Sequence, residues 1–217
     1  MNNVYVKNHN RKKLARFSGF TESSVMKVLG QEKAIWTESN LEASAFLYLN
    51  YKENILKMES QPLSIVNYHP NDGRAYTPDG AMHHIDKNGQ KVVTYFEVKP
   101  WGKYQEQQLK YKCVERAFNR HGYEFEVFTD KDIPSKQVIF NLEQLKRSAI
   151  HVDPMSHELN VAIKLLPQTI SYSDAISVLE ALCIQAHSLH YLIYRQYLLC
   201  DLTMTVNRST VLTKNIV

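Results

Sequence analysis

The chain has 217 residues, 44% hydrophobic and 22% charged, with a formal net charge of +4. That is enough chain for one large domain or two small ones with a buried core, and the balance is that of a folded globular protein rather than a disordered one. No apolar run approaches the roughly 20 residues that span a bilayer, and Cys113, Cys183 and Cys200 stand far apart without CxxC spacing, which argues against a disulfide framework and a zinc site.

Met1 to Arg16 is polar and basic with no apolar centre, so no signal peptide is expected and a reducing cytoplasm is the expected compartment. Residues 1–30 hold Lys7, Arg11, Lys12, Lys13, Arg16 and Lys27 against Glu22 alone. Such an arm can lie along phosphates or be an ordinary solvated tail. Residues 171–217 balance three basic against three acidic residues.

In chain order, Thr37 to Tyr51 reads as a helix. Leu41, Ala45, Phe46 and Leu49 recur at helical spacing, and Ser39 with Glu42 forms a capping box. Leu63–Tyr68 reads as a short strand, and Asn71-Asp72-Gly73 as a turn. Arg74–Ile85 is extended, with Pro78 marking an edge or a break. Lys87-Asn88-Gly89 turns the chain into a third strand, Lys91–Lys99, giving three antiparallel strands. Lys103–His121 reads as a helix with Leu109, Cys113 and Ala117 on one side, stopped by Gly122. Tyr123–Thr129 is a strand, which such a crossover makes parallel to its predecessor.

After Ile133-Pro134 the character changes. Asn141–Ile150, Ser156–Leu166, Ser173–Leu182 and His187–Leu199 read as helices, with short strands Leu202–Val206 and Thr210–Thr213 around Asn207-Arg208. The expected fold is therefore α/β: a restriction-endonuclease-like mixed sheet flanked by helices over residues 1–134, then a mostly α, winged-helix-like domain over 135–217.

The chemistry concentrates on Pro78-Asp79 and Glu97-Val98-Lys99, a PD…ExK pattern with the two carboxylates 18 positions apart. Side chains alternate along a strand, so Glu97 and Lys99 share one face and Val98 points to the other, toward the core. Asp79 follows a proline where regular pairing stops, which frees its carboxylate to lean toward Glu97. Two nearby carboxylates repel, and a divalent cation relieves that repulsion. Hard oxygen donors suit Mg²⁺, with Mn²⁺ as its substitute. A lysine beside the metal can stabilise charge developing on a phosphodiester, or position and deprotonate the attacking water. Glu42 is the third candidate carboxylate. The pattern therefore points to a metal-dependent DNA endonuclease with Asp79, Glu97, Lys99 and Glu42 as catalytic residues, the three acids as metal ligands.

Each feature has a plainer reading. Glu97 and Lys99 could be a surface pair, Asp79-Gly80 a turn, and Glu42 simply the capping partner of Ser39. His83-His84 with Asp86 suggests a transition-metal site, but adjacent strand residues face opposite ways, so hairpin-end residues or DNA contacts are preferred. Gln107-Gln108-Leu109-Lys110-Tyr111 resembles the Q-x-x-x-Y element of some exonucleases, with an exposed polar helix face as the preferred alternative. Trp101 could stack on a base or belong to the core. No GxxxxGK[ST] loop is present, so no ATP hydrolysis is expected.

Ile35-Trp36-Thr37-Glu38-Ser39-Asn40-Leu41-Glu42, Glu59-Ser60-Gln61-Pro62, Tyr76-Thr77-Pro78-Asp79 and Phe96-Glu97-Val98-Lys99-Pro100 together resemble the TnsA family, over roughly residues 15–130. Farther along, the resemblance rests on element order and Leu199-Cys200-Asp201-Leu202. It implies a transposase endonuclease subunit that cuts the non-transferred strand at the 5′ ends of a transposon. It also implies double-stranded DNA at the transposon ends as substrate, a DDE-type, TnsB-like transposase and an AAA+, TnsC-like ATPase as partners, and no membrane. Site residues carried over by position are Glu42, Asp79, Glu97 and Lys99; some members have Gln at the position of Glu97. In the family the C-terminal domain contacts the ATPase, which suits the uncharged tail here. The other readings are a stand-alone restriction or repair nuclease and an inert DNA-tethering scaffold.

Overall fold

A computed structural model of the chain describes residues 5–8, 24–29, 31, 33–52, 55–68, 74–153 and 156–215. The chain divides into two compact units, Met1–Ile133 and Pro134–Val217. Most of the basic N-terminal arm, and the expected turn at Asn71-Asp72-Gly73, lie outside the described residues.

The N-terminal unit is mixed α/β. Strands β1 (Tyr5–Asn8), β2 (Ser24–Met26) and β3 (Ile35–Thr37) precede helix α1 (Asn40–Tyr51). Then come β4 (Ile55–Ser60), β5 (Leu63–Val66), β6 (Ala75–Tyr76), β7 (Gly80–Ile85) and β8 (Lys91–Lys99). Helices α2 (Trp101–Glu106) and α3 (Gln108–Arg120) lead to β9 (Glu124–Thr129). The main sheet has the order β4-β7-β8-β9, antiparallel except for the parallel β8–β9 pair. The α2–α3 crossover supplies the length that a parallel connection needs.

Three expectations change. The three strands do not share one sheet: β5 pairs with β1 and β6, whereas β7 pairs with β4 and β8. The stretch 74–85 is split between two sheets at Thr77-Pro78-Asp79, because proline has no N–H for a ladder. β4 carries no clear alternation, with Leu56 exposed and Met58 buried, so its pattern does not announce a strand. The helix after β8 begins at Trp101 and breaks at Gln107, and Leu109 is 80% exposed. Its buried face is Tyr111, Val114, Ala117 and Phe118 instead, because this stripe carries the bulky aromatics.

Both faces of the main sheet are covered. On one, Phe46 of α1 packs on Phe96 with ring centroids 5.0 Å apart. On the other, Phe118 of α3 packs on Tyr95 at 5.1 Å, within a cluster holding Leu63, Ile65, Tyr76, Ala81 and Phe125. Gly80 opens β7 against the first face. A Cβ there would meet the ring tips of Phe46 and Phe96 at 2.5 Å, so the position needs glycine for close approach, and it is a paired strand residue rather than a turn.

The C-terminal unit runs α4 (Lys136–Ala149), α5 (His157–Leu165), β10 (Thr169–Ser171), α6 (Tyr172–Ala181), α7 (Ser188–Tyr194), β11 (Leu198–Leu199) and β12 (Val211–Lys214). Its small antiparallel sheet has the order β10-β12-β11. The helix expected to reach Leu199 stops at Tyr194, where Gln196 takes the left-handed conformation at φ 60° and the chain turns into β11. Leu202–Val206 is not a strand. Asp201 caps a turn by accepting from Thr203, and the Leu202 and Met204 carbonyls accept instead from the buried Asn141 side chain at 2.8 and 2.7 Å.

Candidate active site

The antiparallel ladder of β7 and β8 pairs Gly80 with Phe96 and goes no further. Continued in register, the next partner of Val98 would be Pro78, which lies outside the strand. The Val98 N–H donates instead to Asp79 Oδ2 at 2.8 Å. A side-chain carboxylate thus replaces a missing backbone acceptor, which aims Asp79 at β8. Its own carbonyl accepts from the Gln61 N–H at 3.0 Å, so Asp79 is held from both neighbouring strands.

Glu97 and Lys99 share the Tyr95 face of β8, and the ladder beside them turns that geometry into a cluster. Lys99 Nζ lies 2.9 Å from Glu97 Oε1 and 3.5 Å from Asp79 Oδ2. Glu97 is only 5% exposed. Since both sheet faces are covered, this is a sheltered site and not a surface pair. Glu97 Oε2 and the Tyr76 hydroxyl are both buried, and the Tyr76 hydroxyl faces the Glu97 carboxylate.

The electrostatics follow from that burial. Asp79 is pushed up to about 7, by burial first and then by the Glu97 charge, with Lys99 opposing. Burial alone would lower Lys99, but the charges of Asp79 and Glu97 outweigh it and hold the ammonium above its ordinary value. Tyr76 is raised by burial and then by Glu97, and Tyr111 is pushed up to about 12 by the same causes in the same order. Tyr111 Oη lies 3.5 Å from Gln107 Oε1, and Lys110 Nζ sits 5.3 Å from the centres of both tyrosine rings. Residues of the Q-x-x-x-Y stretch therefore border the carboxylates. Tyr76 had no signal of its own in the sequence beyond standing three residues before Asp79.

Glu42 is placed differently. It is buried, and it feels the charges of Lys99 and Asp79. Both its oxygens are engaged at the start of α1: Oε1 accepts from Ser39 Oγ at 3.0 Å and Oε2 from the Glu38 N–H at 2.7 Å. Ser39 Oγ in turn accepts from the Glu42 N–H at 3.1 Å, which completes a helix cap. Burial raises the Glu42 carboxyl, and these hydrogen bonds pull it back only in part.

Among the described residues, no three His, Cys, Asp or Glu side chains stand arranged to hold a metal ion. At the cluster itself the Lys99 ammonium occupies the position between Asp79 and Glu97. The histidines form no centre either. His84 Nε2 is 2.9 Å from Thr94 Oγ1, which donates to Glu124; His83 lies 3.9 Å from Glu59; and Asp86 caps the hairpin turn. Trp101 is partly exposed, with Lys131 Nζ 3.9 Å from its ring centre. The three cysteines are free thiols.

A mixed sheet whose β7–β8 end gathers two acids and a lysine is consistent with a nuclease-like α/β fold. Residues 52–130 match the family described as TnsA-like endonuclease N terminal. The matched segment holds Asp79, Glu97 and Lys99 but not Glu42. No curated protein matches the chain. Among the described residues no helix is long and apolar enough to cross a membrane.

Proposed function

We propose that this chain is the endonuclease subunit of a heteromeric transposase, hydrolysing the phosphodiester of the non-transferred strand at the transposon's 5′ ends. The convergence of Asp79, Glu97 and Lys99 at the end of β7 and β8, within the family-matched segment, carries the reading.

Two observations support a divalent cation at this site, Mg²⁺ with Mn²⁺ as a substitute. Asp79 and Glu97 bring two carboxylates to one sheltered place, and Asp79 is raised by burial and then by the Glu97 charge. Asp79 and Glu97 are the proposed ligands, with Glu42 the third if its capping bonds to Ser39 and Glu38 yield. When bound, Mg²⁺ supplies Lewis-acid stabilisation and lowers the pKa of a coordinated water. Lys99, held above its ordinary value by Asp79 and Glu97 in the metal-free chain, is placed to stabilise negative charge on the scissile phosphate or to position the attacking water.

The helix, strand, helix, helix, hairpin order from α5 to β12, with β12 central in the sheet, supports a winged-helix reading of the C-terminal unit. Its charge balance favours protein docking over DNA reading, with an AAA+ ATPase as partner and a DDE-type transposase joining the 3′ ends. Substituting Asp79→Ala should abolish 5′-end nicking in the assembled reaction while 3′-end joining continues; unchanged nicking rejects the site. Efficient sequence-specific cutting by the chain alone would identify a stand-alone nuclease instead.

A further inference from the structure

We propose that Gln61 is a positioning residue that ties the two segments carrying the acidic site, the start of β7 and the start of α1, into one frame. The inference rests on the reading of Asp79 and Glu42 as cation ligands.

Gln61 lies in the turn between β4 and β5, and it makes two bonds in two directions. Its backbone N–H donates to the Asp79 carbonyl at 3.0 Å. Its side-chain Nε2 donates to Glu38 Oε1 at 3.0 Å. Glu38 immediately precedes the cap residue Ser39, and its own N–H donates to Glu42 Oε2 at 2.7 Å. A continuous path thus runs from the Asp79 backbone through Gln61 and Glu38 to the Glu42 carboxylate. Ser60, the preceding residue, accepts from the Trp36 N–H at 3.2 Å, so the same turn also grips the segment leading into α1.

The backbone of Gln61 makes the case for a function. Its φ is +45°, the left-handed region that an L residue with a long side chain adopts at a cost. Among the described residues of this unit, the only other non-glycine with positive φ is Asn67, a residue type that tolerates it. Glycine or asparagine at position 61 would hold the turn with less strain. An exposed amide–carboxylate bond returns little stability against that strain. What glutamine adds, and glycine lacks, is the reach to Glu38. A strained residue whose backbone and side chain register two acid-bearing segments is the pattern expected of a site-positioning residue.

The test is Mn²⁺ binding to the purified full chain, titrated by electron paramagnetic resonance and paired with thermal unfolding of the metal-free protein. Gln61→Gly should leave Tm unchanged or raised, since it relieves the left-handed strain, yet weaken Mn²⁺ binding about 10-fold. Glu38→Ala should weaken it similarly, and Glu38→Gln, which keeps an acceptor oxygen, should restore it. Asp79→Ala separates the two claims. If it binds Mn²⁺ like the wild type, the reading of the site fails and takes this proposal with it. If it loses Mn²⁺ while Gln61→Gly binds normally, the site stands and the positioning role is overturned. A Gln61→Gly chain that loses stability and binding together also overturns it, because that is what a purely structural residue does.

Discussion

The two ends of the β7–β8 hairpin carry an aspartate each, and the two are set up in opposite ways. At the turn, Asp86 is half-exposed: Oδ1 accepts from the Gln90 and Asn88 N–H groups at 2.7 and 2.9 Å, and these bonds hold its carboxyl below the usual range. At the other end, the Asp79 side chain is 14% exposed, lies beside Glu97 and is pushed up to about 7. The first aspartate stabilises a fold by satisfying local donors. The second accepts from the Val98 N–H and faces Lys99, but its burial and the Glu97 charge oppose its ionisation. The same residue type on the same hairpin therefore meets two surroundings, local backbone donors alone at the turn and a second carboxylate at the other end.

The sharpest way to break the comparison is to remove the groups around Asp79. Glu97→Ala and Lys99→Ala should each lower strand cleavage by about 10²–10³-fold, the usual loss for a preorganised charge at a reacting centre. Single-turnover cleavage checks this, and near-normal rates in either variant would dissolve the cluster. Gly80→Ala comes next. Its methyl must displace the buried Phe46 and Phe96 rings, so a loss of about 1–3 kcal/mol in urea unfolding is expected. Unchanged stability would mean that the close approach of α1 to β7 is not required.

A pH series sharpens the same contrast. Asp79 rises from an ordinary 3.8 to about 7 on folding, so between these values the folded chain holds a proton that the unfolded chain has released. Its contribution to stability is therefore full below about 4 and is lost as pH rises toward 7. Metal-free Asp79→Asn should lack this downward slope, and Tm curves of the two proteins from pH 4 to 8 in chelator should diverge accordingly. Parallel curves would place Asp79 in water. The smallest effect is at the other end: Asp86→Ala should loosen the hairpin turn and leave cleavage within about twofold, since nothing catalytic touches it.

The contrast also marks what could be read from the sequence. Strand β8 was legible to the residue, because Lys91–Lys99 is bounded by a glycine turn and a proline. The Ser39–Glu42 cap was legible because its spacing is its mechanism. The separation of β5 and β6 from the main sheet was not, since pairing partners depend on distant residues such as Tyr5–Asn8. Pro78 signalled the break, but not that Asp79 would take over the Val98 N–H. Tyr76 and Gln61 stand in segments that carry the family resemblance, but what they touch stayed hidden for the same reason. Their roles are set by which segments meet in space, and no local pattern records that. In the C-terminal unit, Leu202–Val206 has the look of a strand, and only the buried Asn141, about sixty positions earlier, explains why its carbonyls are used elsewhere.

The most direct test of the account is strand-resolved cleavage of DNA carrying marked transposon ends, with transposase and ATPase partners present and Mg²⁺ supplied or chelated. The account predicts that the wild-type chain nicks the 5′ ends only with Mg²⁺, and that Asp79→Ala leaves those ends intact while 3′ ends are still joined. Mg²⁺-dependent 5′ nicking that persists in Asp79→Ala would contradict it.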